Sequence, residues 1–204
     1  MTGLRSATGE RYSKTPAGRG RRAGRRFFDR PADRVARDLL GAAVTVRSGR
    51  AVRSVRIVET EAYVRNDPAS HAFRGPTRRN RSMFSSPGTL YVYRIHQVVC
   101  ANLVARRGEA VLLRAASSED VPPQATSGPG RLCRFLGITR EDDGVDTVVG
   151  RRVLIRLGGV PRGRVQVGPR VGIRKAVDRP LRFVILDEPA VARPRPRGRS
   201  ASIA

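Results

Sequence analysis

The sequence predicts one α+β domain, a single curved, mainly antiparallel β-sheet flanked by helices. Three observations predict it. The 204 residues suffice for one real core and are too few for two ordinary domains. Short β-rich runs follow one another with turns between them, as in an antiparallel meander. Apolar residues recur at helical spacing in two stretches, one near the start and one past the middle.

Residues 1–26 are rich in Gly, Arg, Ser and Thr and are expected to form a disordered basic arm, because they offer too little apolar surface to offset their ordering entropy. The globular domain is expected over 27–188 and opens on a helix. Asp29-Arg30-Pro31 suits a helix entrance, Val35, Ala36, Leu39 and Leu40 keep helical spacing, and Gly41 is placed to end it. The runs 42–46 and 52–62, joined by Arg47-Ser48-Gly49-Arg50, predict a hairpin. In the second run Val55, Ile57, Glu59, Glu61 and Tyr63 share one face, since strand side chains alternate. That face turns from apolar to acidic and aromatic, as it would where a strand leaves the core and enters a cleft.

Residues 65–88 set Arg65, Arg74, Arg78, Arg79 and Arg81 among Pro, Gly, Ser and Asn, which predicts a long basic loop. Strand composition resumes at 90–93, 98–104 and 110–114. A short helix is expected near 130–138, an acidic loop at 141–146, and strands at 152–157, 165–167 and 182–186. From Pro189 onward Pro and Arg dominate, so 189–204 is expected to be a disordered tail.

The formal net charge is +24 and the isoelectric point about 11.8. Residues 1–26 carry a net +7 and residues 191–204 a net +4, which leaves +13 on the body between them. A basic body, beyond basic ends, implies that the folded surface itself meets a polyanion. That balance speaks against an enzyme of neutral metabolites. No apolar run approaches the roughly 20 residues of a membrane helix, and the N-terminus has charge and glycine where a signal peptide is apolar. The expectation is a soluble protein without a membrane partner, cytoplasmic and nucleoid-associated in a bacterium or nuclear in a eukaryote. Nothing in the sequence suggests a symmetric interface, so a monomer is expected.

With Cys100 and Cys133 as the only cysteines, a disulfide framework is excluded. A zinc site would have to recruit both histidines. His96 and Cys100 are spaced one helical turn apart but lack a second pair, so neither metal nor other cofactor is expected.

Glu61 is the first candidate for chemistry: a carboxylate beside an aromatic at the end of an apolar strand can be desolvated enough to act as a base. The competing reading is a surface charge at a strand end. Arg114 follows three apolar residues, which suits either a partly buried guanidinium with an acidic partner or a solvated strand end. Tyr63, Tyr91 and Tyr93 are three of the four tyrosines, placed around the basic loop. They read as a platform for stacking an exposed base or simply as core aromatics. His71 and His96 are equally open.

Several blocks in order give the chain a resemblance. Phe27-Phe28-Asp29-Arg30-Pro31, Arg56-Ile57-Val58-Glu59-Thr60-Glu61-Ala62-Tyr63, Asp67-Pro68-Ala69-Ser70-His71-Ala72, Arg79-Asn80-Arg81-Ser82-Met83-Phe84 and Pro87-Gly88-Thr89-Leu90-Tyr91-Val92-Tyr93 resemble the alkyladenine (3-methyladenine) DNA glycosylase family. Val111-Leu112-Leu113-Arg114-Ala115, Gly128-Pro129-Gly130-Arg131-Leu132-Cys133 and Arg170-Val171-Gly172-Ile173 continue the match, which spans Phe27 to Phe183. The resemblance implies a monofunctional glycosylase of base excision repair acting on double-stranded DNA with damaged purines. It implies that Glu61 deprotonates a water, that Arg114 helps hold that water, and that Tyr63, His71 and Tyr93 surround the extruded base, with Asn102 lining the same pocket.

The chain departs from the family pattern in three places. His96 stands where the family usually has a tyrosine that wedges into the duplex. The stretch from His96 to Asn102 is one residue shorter than usual, and a slip of one would reverse the face of Asn102 unless a bulge absorbs it. The segment 173–180 is abbreviated and lacks the tryptophan common there. A nonenzymatic DNA- or lesion-binding module with an altered pocket is therefore the alternative. The only lysines are Lys14 and Lys175, neither near the Glu61 motif in sequence, so a Schiff-base mechanism lacks an obvious nucleophile.

Overall fold

In the computed structural model, which describes residues 20–158 and 165–194 and the backbone of Ser200–Ala201, Val35, Ala36 and Leu39 are fully buried by helix α2 (Ala32–Asp38). A shorter helical turn, α1 (Arg25–Phe28), precedes it. The Ala32 amide donates to the buried Glu109 carboxylate at 2.9 Å, which satisfies one of the free N–H groups of the α2 N-terminus and places negative charge there. Gly41, at φ 81°, turns the chain into β1 (Ala43–Ser48) and the expected hairpin with β2 (Ala51–Tyr63).

β2 is the spine of the sheet. Its first half pairs with β1, and β5 (Ala110–Ser117) lines its other edge. At Glu59–Glu61 the β1 edge passes to β8 (Arg182–Ile185). The register against β5 shifts on both sides of Glu59. From Glu59 to Tyr63 the expected shared face holds, with Glu59 and Glu61 both meeting Arg114 and Tyr63 meeting Glu61, but the opposite face is closed as well: Val58, Thr60 and Ala62 are as fully buried as Glu59 and Glu61. The reason is that α2 covers the back of this strand, where the Thr60 hydroxyl donates to the Ala36 carbonyl at 2.8 Å, while the bulges bend the strand and curl the sheet.

β3 (Leu90–Ile95), β4 (Val98–Val104) and β5 form the expected meander, and the sheet runs β3-β4-β5-β2-β8-β7-β9, with β7 at Val165–Gly168 and β9 at Ser200–Ala201. β1 also pairs with β6 (Val153–Arg156). Helix α3 (Pro129–Leu136) buries Leu132, Cys133 and Leu136 against the meander and ends at Gly137, φ 68°. Burial of such a leucine contributes about 2 kcal/mol. No helix among the described residues is long and apolar enough to cross a membrane.

Both ends of the domain reach further than composition indicates. Residues 1–19 of the expected arm lie outside the described residues, but Arg22 bridges to Arg156, Ala23 is buried with its amide bonded to Ile155, and Arg25 meets Asp146 at 2.6 Å. In the expected tail Ala190, Val191 and Ala192 are buried, while 195–199 and 202–204 lie outside the described residues. The first segment is held by backbone pairing with 155–156 and by the Arg25 ion pair, the second by side chains of Glu59 and Arg182 that bond its backbone, and composition counts neither.

Gly88 shows how tightly β3 is entered. It has φ +88°, and an added Cβ would lie 2.7 Å from Val148 and 2.8 Å from Phe28. Gly88→Ala is expected to cost about 3 kcal/mol from the combined backbone strain and overpacking, read as a lowered urea midpoint. An unchanged midpoint would show that the 87–89 turn is not rigid.

Candidate active site

The C-terminal half of β2 carries two buried carboxylates. Glu61 has no exposed surface; its Oε1 accepts the Val171 amide at 2.8 Å and lies 3.4 Å from Nη1 of Arg114, while its Oε2 accepts the Tyr63 hydroxyl at 3.2 Å. Desolvation raises the pKa of Glu61, opposed by the positive charge of Arg114 and the Val171 amide. Arg114, from β5, is itself buried and donates from Nε to Glu59 at 2.8 Å. Burial, then the neighbouring Glu61 charge, raises the pKa of Tyr63, so its hydroxyl remains a donor.

The three groups that touch the Glu61 carboxylate form one wall of a cleft of about 460 Å³. The hairpin β3–β4 supplies the facing wall. Its register pairs Tyr91 with Asn102, Tyr93 with Cys100 and Ile95 with Val98, and all six line the cleft because directly opposed residues point to the same face. The stretch that is one residue short closes in a two-residue turn, His96-Gln97, with His96 at φ 50°. No bulge is needed, and Asn102 falls on the cleft side, buried, with its side-chain amide donating to the Tyr91 carbonyl at 3.1 Å.

His71 packs edge-on against Tyr93, ring centres 4.5 Å apart, and its Nδ1 is 2.9 Å from the Tyr91 hydroxyl. Desolvation by these rings lowers the His71 pKa and favours the neutral imidazole. The structure thus brings Tyr63, His71, Tyr93, Asn102 and Arg114 to one cleft, with Glu61 behind its wall and His96 exposed at its rim. His96 and Cys100 sit on a hairpin rather than a helix, Cys100 buried beside Tyr93. A wider hollow continues past His71 and Tyr93, lined by Arg74, Arg79, Arg94 and Arg140. Lys175, remote from the motif in sequence, lines both hollows.

Sequence reading missed what supports these groups. Arg170 and Asp67 form a fully buried pair, Arg170 Nη2 3.0 Å from Asp67 Oδ1 and Nη1 also bonded to Asp67 and to the Ala62 carbonyl. The Arg170 guanidinium lies over the Tyr63 ring at 4.7 Å. Asn80 holds the basic loop in shape by donating to the carbonyls of His71 and Gly75 at 2.7 and 3.1 Å. The available signal is that Asp67 is the single acidic residue among the arginines of 65–88.

An aromatic cleft, a desolvated carboxylate behind its wall and a strongly basic chain agree with the family match in making the chain a DNA glycosylase, a hydrolase of the N-glycosyl bond with a role in base excision repair. The chain belongs to the methylpurine-DNA glycosylase family, whose sequence model matches residues 26–189. It is 42% identical over 173 residues to a protein of Synechococcus elongatus assigned as a 3-methyladenine DNA glycosylase, covering 82% of this chain and 89% of that one. Proteins assigned the same way from Agrobacterium fabrum and Rhizobium johnstonii are 44% and 40% identical, covering 77% and 83% of this chain and 85% and 89% of theirs.

Proposed function

We propose that the chain is a monofunctional glycosylase that excises alkylated purines of the 3-methyladenine type from double-stranded DNA, as a monomer, and leaves an abasic site. The observation that carries this reading is the Glu61 carboxylate, buried behind the cleft wall yet held by three groups that face the cleft.

A purine inside a duplex is out of reach, so it must be flipped out, at a cost of a few kcal/mol that is lowest for damaged or mispaired bases. An N-alkylated purine is cationic and gains from the faces of Tyr63 and Tyr93 by cation-π attraction as well as stacking, with His71 and Asn102 completing the pocket. Glu61 takes a proton from water, whose oxygen bonds to C1′ of the sugar; the C1′–N bond breaks and its electron pair leaves with the purine. The same carboxylate stabilises the oxocarbenium character of the sugar, and Arg114 holds the water. A raised pKa suits Glu61 to this work, since a base is most effective when its pKa approaches the operating pH. The arginines of the neighbouring hollow contact phosphates, so affinity falls steeply with salt.

At the hairpin tip, exposed and in a turn, His96 is placed to wedge into the space left by the flipped nucleotide. Its removal in His96→Ala should weaken binding to a lesion duplex by about tenfold, the size of one lost base-aromatic stack. Equal affinities would show that the rim residue does not enter the duplex.

The reading is tested by incubating the protein with duplex DNA carrying alkylated purines, in chelator, and counting released free base. Released base with a strand that breaks only after alkali, and no adduct trapped by borohydride at Lys175, is the expected result. Duplex binding without base release would instead favour the binding module.

A further inference from the structure

We propose that Glu59 is a positioning residue for the hydrolysis: it fixes the edge that Arg114 presents to Glu61 and ties both to the C-terminal segment 190–194. The proposal rests on the reading of Glu61 as the base. Glu59 has no exposed surface, and its carboxylate is taken up by Arg114, Arg182 and the Ala192 amide, so it acts through them rather than on substrate. Its Oε1 accepts Nε of Arg114 at 2.8 Å and Nε of Arg182 at 2.7 Å, and its Oε2 accepts the Ala192 amide at 2.7 Å. Arg182 in turn donates to the carbonyls of Ala192 at 2.8 Å and Pro194 at 2.7 Å, which clasps the segment onto the same carboxylate.

The geometry of Arg114 follows from this. A guanidinium is a rigid plane, so a bond at Nε sets the direction of its remaining donors. With Nε taken by Glu59, Nη1 is turned to Glu61 at 3.4 Å. Without that anchor a long side chain regains rotamer freedom and the pairing with Glu61 loosens.

Charge gives the role a second signature. Two carboxylates, Glu59 and Glu61, face two guanidiniums, Arg114 from β5 and Arg182 from β8. Tyr63 and the Val171 amide also face Glu61, Cys100 of β4 lies near it, and Arg170 sits behind Tyr63. Removing the Glu59 charge leaves an excess of positive charge beside Glu61 and stabilises its ionised form. Glu59→Gln should therefore slow excision while moving the acid limb of the pH profile to lower pH. A merely structural defect would slow excision without that displacement.

The experiment measures single-turnover excision against pH for the full chain, Glu59→Gln, Glu59→Asp and Glu61→Gln, with duplex affinity measured alongside. Glu59→Gln is expected to lose about 10- to 100-fold in the plateau rate, the size of a small misplacement at the reacting centre, with duplex affinity kept and the acid limb shifted down. Glu59→Asp keeps the charge but draws the carboxylate back, so its plateau falls while its limb stays. Wild-type plateau and limb in Glu59→Gln overturn the proposal. Should Glu59→Gln fail to fold, a wild-type rate in Glu59→Asp, or a rate that falls together with duplex affinity, overturns it, and a slowed rate with wild-type duplex affinity supports it. Wild-type activity in Glu61→Gln removes the parent reading and this proposal with it, whereas an inactive Glu61→Gln beside an unchanged Glu59→Gln removes this proposal alone.

Discussion

Glu61→Gln is expected to lower the single-turnover rate of base excision by about 10²- to 10⁴-fold, the usual contribution of a positioned acid-base group, and to leave duplex binding intact. The amide keeps the shape of the side chain: its one carbonyl oxygen can still accept the Val171 amide, now at 2.8 Å, while its NH2 takes the place of the other oxygen and donates to the Tyr63 oxygen, now at 3.2 Å. What it loses is the ability to take a proton and the charge that offsets Arg114 and the developing sugar cation. The loss therefore falls on the chemical step. Wild-type rates in this variant would place the base elsewhere in the cleft, where His71 is the remaining titratable group with a lowered pKa.

The second large effect is on stability. Asp67→Asn is expected to cost about 3 kcal/mol or more in a urea melt, because the Arg170 guanidinium keeps its charge at a position with no side-chain exposure and loses its counter-ion. Among the described residues Arg170 Nε already has no hydrogen-bond partner, so little remains to compensate. Activity should fall too, since Arg170 adjoins Val171, whose amide holds Glu61, and lies over the Tyr63 ring. Replacing both partners with apolar residues in Asp67→Leu with Arg170→Met should recover much of the stability but not the activity, since the buried charge goes and the support of Tyr63 does not return. A loss below about 1 kcal/mol in the single variant would mean that the pair behaves as a solvent-screened surface bridge.

The parts of the site carried by local pattern were legible in the sequence. One strand that turns from apolar to polar marks Glu61 and Tyr63 as candidates and an apolar run that ends in a cation marks Arg114, each open to a surface or core reading until the family resemblance assigns it a role, and turn spacing gives the succession of strands. The supporting shell was not legible, because its partners are far apart along the chain: Glu59 meets Arg182 across 123 residues and Ala192 across 133, and Asp67 meets Arg170 across 103. The register shifts at Glu59 and the cover of α2 over the back of the strand are likewise set by tertiary pairing that a single strand does not record. The same holds for Ala190, Val191 and Ala192. Three small apolar residues look like tail until Glu59 and Arg182 are seen to hold their backbone.

The proposed reaction needs Glu61 ionised, and the most direct measurement of that is the pH dependence of single-turnover excision by the wild type beside that of Glu61→Gln. Burial places the Glu61 pKa above the ordinary carboxylate value, so the wild-type rate should fall as pH drops through a range higher than an exposed glutamate would give. The variant should be slow and flat across that range. A flat wild-type profile, or the same acid limb in both proteins, would contradict it.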